Sequence, residues 1–186
     1  LDVERDNLLN VLNELVPVYK DLTAYDDSKA YMNDGGAKGK ELAAKYVAAV
    51  EKFDAAYAKF NETLNKVNAE QSKKQIEKLK KDGKKGYAAA MESTLRLTEL
   101  VDKLEKAPQN ADKAAVEKEL SEIEALLKSI NNDRGQVLAD RYNSVVGDVR
   151  QVLADPSDNN LNNMIEGFNG YIDTYNSTTP DQFDAK

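Results

Sequence analysis

The chain has 186 residues, 41% of them hydrophobic and 32% charged, with 26 basic against 33 acidic side chains and a formal net charge of −7. That balance argues against broad binding of a nucleic-acid backbone, which usually needs a basic surplus. Histidine, cysteine and tryptophan are all absent, which removes imidazole bases, histidine-dependent nucleophile pairs, thiolate metal centres, redox CxxC motifs and disulfides. Any catalysis would rest on Asp, Glu, Lys, Tyr, Ser or Thr alone. No enzyme, cofactor or metal site is therefore expected.

No apolar run approaches the ~20 residues that span a bilayer. No signal peptide is recognisable, and the first residue is Leu1. This start suits a cytosolic fragment, a mature secreted chain or a trimmed one.

Apolar residues recur alternately four and three apart, the spacing of a helical seam. The first run holds Leu8, Leu12, Leu15, Tyr19 and Leu22, with a kink or break expected near Val16 because Pro17 comes next. The second begins after Gly39 and holds Leu42, Tyr46, Val50, Phe53, Tyr57, Phe60, Leu64 and Val67. It can continue through Ile76 and Leu79 to the Asp82-Gly83 break. A third run carries Tyr87, Ala90, Met91, Leu97, Val101 and Leu104 and ends at Ala107-Pro108. Val116, Leu120, Ile123, Leu127 and Ile130 form the fourth, and Leu138, Tyr142, Val145, Val149 and Val152 the fifth. Asn131-Asn132-Asp133 separates these two as a loop or a kink. The sixth, after Asp155-Pro156-Ser157, holds Leu161, Ile165, Phe168, Ile172 and Tyr175.

Each run has one apolar stripe and needs partner helices to cover it. The expectation is an all-α, elongated up-and-down bundle of about five or six helices. A single domain would cover residues 1–176, with a frayed polar tail over 177–186.

The segment Asp34-Gly35-Gly36-Ala37-Lys38-Gly39-Lys40-Glu41 stands apart. Glycines let backbone N–H groups converge, and a helix N-terminus favours anions. Lysines at that end oppose the helix dipole, so an anion contact at Lys38, Gly39 and Lys40, with Tyr31 nearby, is the candidate ligand site. The alternative is a helix-start loop whose lysines neutralise Asp26, Asp27 and Asp34. It is not a P-loop: no strand precedes it, and Glu41 stands where Ser or Thr must hold magnesium.

Lys73, Lys74, Lys78, Lys80, Lys81, Lys84 and Lys85 form a basic stretch. It reads as an anionic-lipid or polyanion contact, or as a solvated face opposite Glu117, Glu119, Glu122 and Glu124. Those glutamates lack the Glu-x-x-His pairs of di-metal bundles. Asp155, Asp158, Asn159 and Asn160 lack EF-hand spacing, and capping by Ser157 or Asp158 accounts for them better. Tyr19, Tyr57, Tyr142 and Tyr175 either turn their hydroxyls outward or line a polar pocket between helices.

The stretch Tyr31-Met32-Asn33-Asp34-Gly35-Gly36-Ala37-Lys38-Gly39-Lys40-Glu41-Leu42 resembles the segment before a long helix in YiiG-like bacterial lipoproteins of unknown function. Tyr142-Asn143, Tyr175-Asn176 and the turn at Asp82-Gly83 are compatible with that pattern. The sequence departs from it at Ala43, where a histidine would be expected, so any chemistry resting there is missing. The resemblance implies a signal peptide and a lipidated cysteine, neither of which is in this sequence, and hence a start after the anchor. It further implies an envelope location, lipid-anchored or periplasmic, with no membrane contact beyond that anchor. The partner it implies is an envelope protein or an anionic envelope component. No catalytic residue comes with it. The leading expectation is a binding or protein-interaction module; the alternative is a structural spacer or self-associating helical protein, with a histidine-free enzyme third.

Overall fold

Each of the six apolar runs becomes a helix in the computed structural model, which describes residues 1–185. In chain order the helices are α1 (Asp2–Asp27), α2 (Tyr31–Asp34), α3 (Ala37–Lys81), α4 (Lys85–Lys106), α5 (Lys113–Lys128), α6 (Asp133–Ala154), α7 (Asp158–Asn176) and α8 (Pro180–Phe183). A 3-10 turn occupies Pro108–Asn110. No strand occurs among the described residues. The expected five or six helices become eight among the described residues, because α2 and α8 have only four residues each, too few to show a period.

The chain divides into two compact units, residues 1–69 and residues from 70 onward. The boundary falls inside α3.

In the first unit α1 runs antiparallel to α3. The Tyr19 and Tyr46 rings lie 6.1 Å apart, and Lys52 Nζ reaches Glu14 Oε2 at 3.3 Å. α1 continues through Pro17, so the break expected near Val16 is absent. Pro17 costs one backbone donor, and its ring is exposed. The half-buried seam of α1 is Leu8, Val11, Leu15, Val18, Leu22 and Tyr25. Val11 and Val18 therefore take the places expected for Leu12 and Tyr19, which lie one position round the helix and are exposed. No residue of α1 is fully buried.

The second unit is a four-helix arrangement. α4 packs on α5, α5 on α6, α6 on α7, and α7 back on α4. Short connections make consecutive helices antiparallel neighbours. Leu97, Leu104, Ile123, Leu127, Leu138, Val145, Val149 and Met164 are essentially sealed from water. Each such side chain contributes about 1.5–3 kcal/mol of burial. Ile76 and Leu79 of α3 are buried as well. Tyr142 donates its hydroxyl to the Leu120 carbonyl at 2.5 Å, and the Tyr171 hydroxyl lies 3.1 Å from Ser93 Oγ and 3.2 Å from Thr94 Oγ1. Burial pushes both phenols up from their ordinary pKa.

Residues 113–154 hold two helices, not one kinked helix. Asn132 starts α6 by accepting the Gly135 N–H at 3.0 Å. At the start of α7, Ser157 occupies the N-cap position but makes no capping bond; Asn160 Nδ2 instead ties back to the Asp155 carbonyl at 2.8 Å.

In the segment expected to fray, residues 177–185 fold back on the bundle. Phe183 is 2% exposed and stacks on Tyr87 and Tyr175, with centroids 6.1 and 6.0 Å away. Asn132 Nδ2 donates to the carbonyls of Gln182, Phe183 and Ala185. A polar average over ten residues concealed one aromatic anchor and a satisfied set of backbone acceptors.

Candidate functional site

The turn from α1 through α2 into α3 carries the four candidate residues. Gly35 and Gly36 have φ values of +63° and +84°, a left-handed conformation that glycine adopts without a side-chain clash. These two residues reverse the chain after the short α2.

Asp34 organises the first turn of α3. Its carboxylate accepts the Gly36 N–H at 2.8 Å, the Lys38 N–H at 3.2 Å and the Tyr25 hydroxyl at 2.6 Å. The Tyr25 bond, helped by the backbone donors, holds the Asp34 carboxyl below its usual pKa against the opposing cost of burial. Partial burial, reinforced by the carboxylate, pushes the Tyr25 phenol up. Backbone donors of the kind a bound anion would use are thus satisfied by a carboxylate of the chain itself.

Gly39 is needed for a different reason. A Cβ there would sit 2.6 Å from Tyr25 Cε1, so the absence of a side chain lets α1 and α3 approach. Lys38 and Lys40 are exposed and form no ion pair within 4 Å among the described residues. Lys38 borders an open cleft of about 490 Å³ with Asp21, Tyr25, Asn33, Asp34 and Leu42. Tyr31 and Lys40 do not border it, and Tyr31 is 41% exposed. Of the four candidates, the fold brings Gly39 and Lys38 to the Tyr25–Asp34 pair and leaves Tyr31 and Lys40 outside.

Sequence reasoning missed Tyr25 as the partner of that carboxylate. The legible half of the signal was Asp before Gly-Gly, a residue whose side chain bonds its own backbone two positions on. The tyrosine nine residues earlier carried no local mark.

A larger feature of the same unit is apolar. Leu9, Leu12, Val16 and Tyr19 recur three, four and three apart along α1 and are 49%, 38%, 38% and 55% exposed. Tyr19 meets Tyr46 of α3, and farther along α3 Phe53 stacks on Tyr57 at 5.8 Å, with Tyr57 49% exposed. The hairpin thus has an apolar side, while the Glu14–Lys52 pair closes its other edge.

The basic stretch lies in the second unit and is partly neutralised. Lys73 pairs with Glu99, Lys80 with Glu92 and Glu77, and Lys84 with Asp181. The four glutamates expected opposite it face elsewhere. Glu119 and Glu122 clamp Arg96, Glu117 holds Arg150, and Glu124 pairs with Lys128. The Arg96 guanidinium is pushed up in pKa by these carboxylates, chiefly Glu119.

Among the described residues, no group of three or more carboxylates is arranged to hold a metal ion. Nor is any helix among them long and apolar enough to cross a membrane.

A family profile described as "Protein of unknown function (DUF3829)" matches residues 1–137. The chain belongs to this family. The DUF3829 match takes in the whole first unit, with the Tyr25–Asp34 turn and the apolar side, and extends into α6. No curated protein and no solved structure matches the chain.

Proposed function

We propose that this chain is a non-enzymatic protein-interaction domain of the bacterial cell envelope, working through the apolar side of the α1–α3 hairpin. The observation that carries it is a contrast between the two units. α4 to α7 bury their apolar seams, while α1 has no fully buried residue and keeps a second, regularly spaced seam in water. An exposed apolar patch of several hundred Å² on a folded protein is often a functional surface. Three-four spacing selects a helical partner, because knobs at that period fit the holes of another helix. The envelope location rests on the resemblance to YiiG-like lipoproteins.

The test is a photo-crosslinking amino acid at Leu12, with Asn10 on another face as control, in the native host. A protein adduct specific to Leu12 in the envelope fraction supports the reading. No adduct with any protein removes it.

A second reading keeps Lys38 and Lys40 as contacts for an anionic envelope component. It is favoured by their lack of ion pairs among the described residues, despite several aspartates close in sequence. Substituting both by Glu would abolish binding to anionic envelope extracts. It would also stabilise the start of α3 by roughly 0.3–1 kcal/mol each, since the dipole favours acids there. Unchanged binding would discard this reading.

A further inference from the structure

We infer that the partner of the apolar side is a second copy of this chain, the two hairpins packing face to face into an intermolecular four-helix bundle. This deepens the proposed function and rests on it.

Three observations select a second copy. The first is geometry. The face is built from two antiparallel helices, Leu9 to Tyr19 on α1 and Tyr46 to Tyr57 on α3. A two-fold rotation presents an antiparallel helix pair to an identical pair, and such an isologous contact closes on itself. The product is the packing that α4 to α7 already adopt within one chain.

The second is chemistry. Between Leu9 and Tyr19 the stripe is uncharged, and across from it the α3 side offers Tyr46, Val50, Phe53 and Tyr57. Aromatic rings on one helix and branched aliphatics on the other complement each other when two copies are related by that rotation.

The third is area. Leu9, Leu12, Val16, Tyr19 and Tyr57 are each between 38% and 55% exposed. Together they leave on the order of 450 Å² open, more than half of the ~800 Å² per partner of a standard interface, as the apolar centre of one with a polar rim would.

Sedimentation equilibrium of the 186-residue chain tests the inference. The expected species has twice the 20.6 kDa chain mass, and Leu12→Glu with Val16→Glu returns it to monomer. Both positions are already solvent-exposed, so circular dichroism of the variant should keep the helical signal. A second measurement does not depend on that variant folding. The sequence has no cysteine, so single substitutions Leu12→Cys and Val16→Cys report only inter-chain proximity. A short bis-maleimide should join these copies and leave Asn10→Cys unjoined.

A wild-type monomer at concentrations of hundreds of micromolar would overturn the inference. So would a dimer indifferent to both glutamates, or equal crosslinking from Asn10→Cys. If the monomer result is found while the Leu12 photo-crosslinker still captures another envelope protein, self-pairing fails and the interaction reading stands.

Discussion

Asp184 caps the start of α4 from 98 residues beyond Gly86: its Oδ1 accepts the Gly86 N–H at 2.7 Å. α4 has Lys84 at its own N-cap position, with no capping side-chain bond. The donor left open by a poor local cap is satisfied by the C-terminal segment. A carboxylate at that end also sits well with the helix dipole.

Removing this contact should destabilise the second unit in two separable steps. Asp184→Ala loses a cap, at about 1 kcal/mol. Phe183→Ala leaves a hole beside Tyr87 and Tyr175, at about 3–5 kcal/mol. Urea melts monitored by tyrosine fluorescence of the three-ring stack give both values. If both variants cost the same, the aromatic anchor and the cap are not distinct contributions.

The close approach of α1 and α3 depends on a missing side chain. Gly39→Ala should cost about 1–3 kcal/mol, because the new methyl meets the Tyr25 ring. In a Tyr25→Ala background the clash is gone, and the same substitution should become mildly stabilising, by about 0.5–1 kcal/mol, as alanine is the better helix former. A thermal-melt cycle on the four proteins measures the coupling. Equal effects of Gly39→Ala in both backgrounds would refute the steric account.

Asp34 sets a pH dependence with a definite sign. Its folded-state pKa lies below the ordinary value because Tyr25 and two backbone N–H groups favour the charged form. The resulting stability is present above the unfolded-state pKa and fades as pH falls through the lower, folded one. The Gly36 and Lys38 amide resonances should therefore hold steady through the ordinary carboxylate range and move only below it. In Asp34→Ala they should show no acid transition. A midpoint at or above the ordinary aspartate value would contradict the geometry.

The sequence made the helices of the second unit legible because their seams are deeply buried and their ends are punctuated. Leu97 to Leu104, Ile123 to Leu127 and Val145 to Val152 repeat at helical spacing, and Pro108, Asn132 and Pro156 interrupt between them. α1 was harder. Two apolar seams lie side by side on it, so periodicity alone chose Leu12 and Tyr19 where packing chose Val11 and Val18. The α1–α3 turn was legible as unusual, through its glycines and lysines, but its centre was not. Tyr25 and Asp34 are nine residues apart and meet only after α2 and the Gly35-Gly36 reversal have formed. The role of Phe183 was invisible because its partners, Tyr87 and Tyr175, lie on α4 and α7.

The clasp formed by Asp184 and Phe183 bears on the order in which the protein is made. At typical synthesis rates the 98 residues from Gly86 on to Asp184 take roughly 5–20 s to emerge. Through that interval α4 stands with an open N-terminus and an apolar ring, Tyr87, awaiting its cover. The bundle is sealed only when Phe183 and Asp184 arrive, so a chain cut before them would fold most of its helices and never lock them.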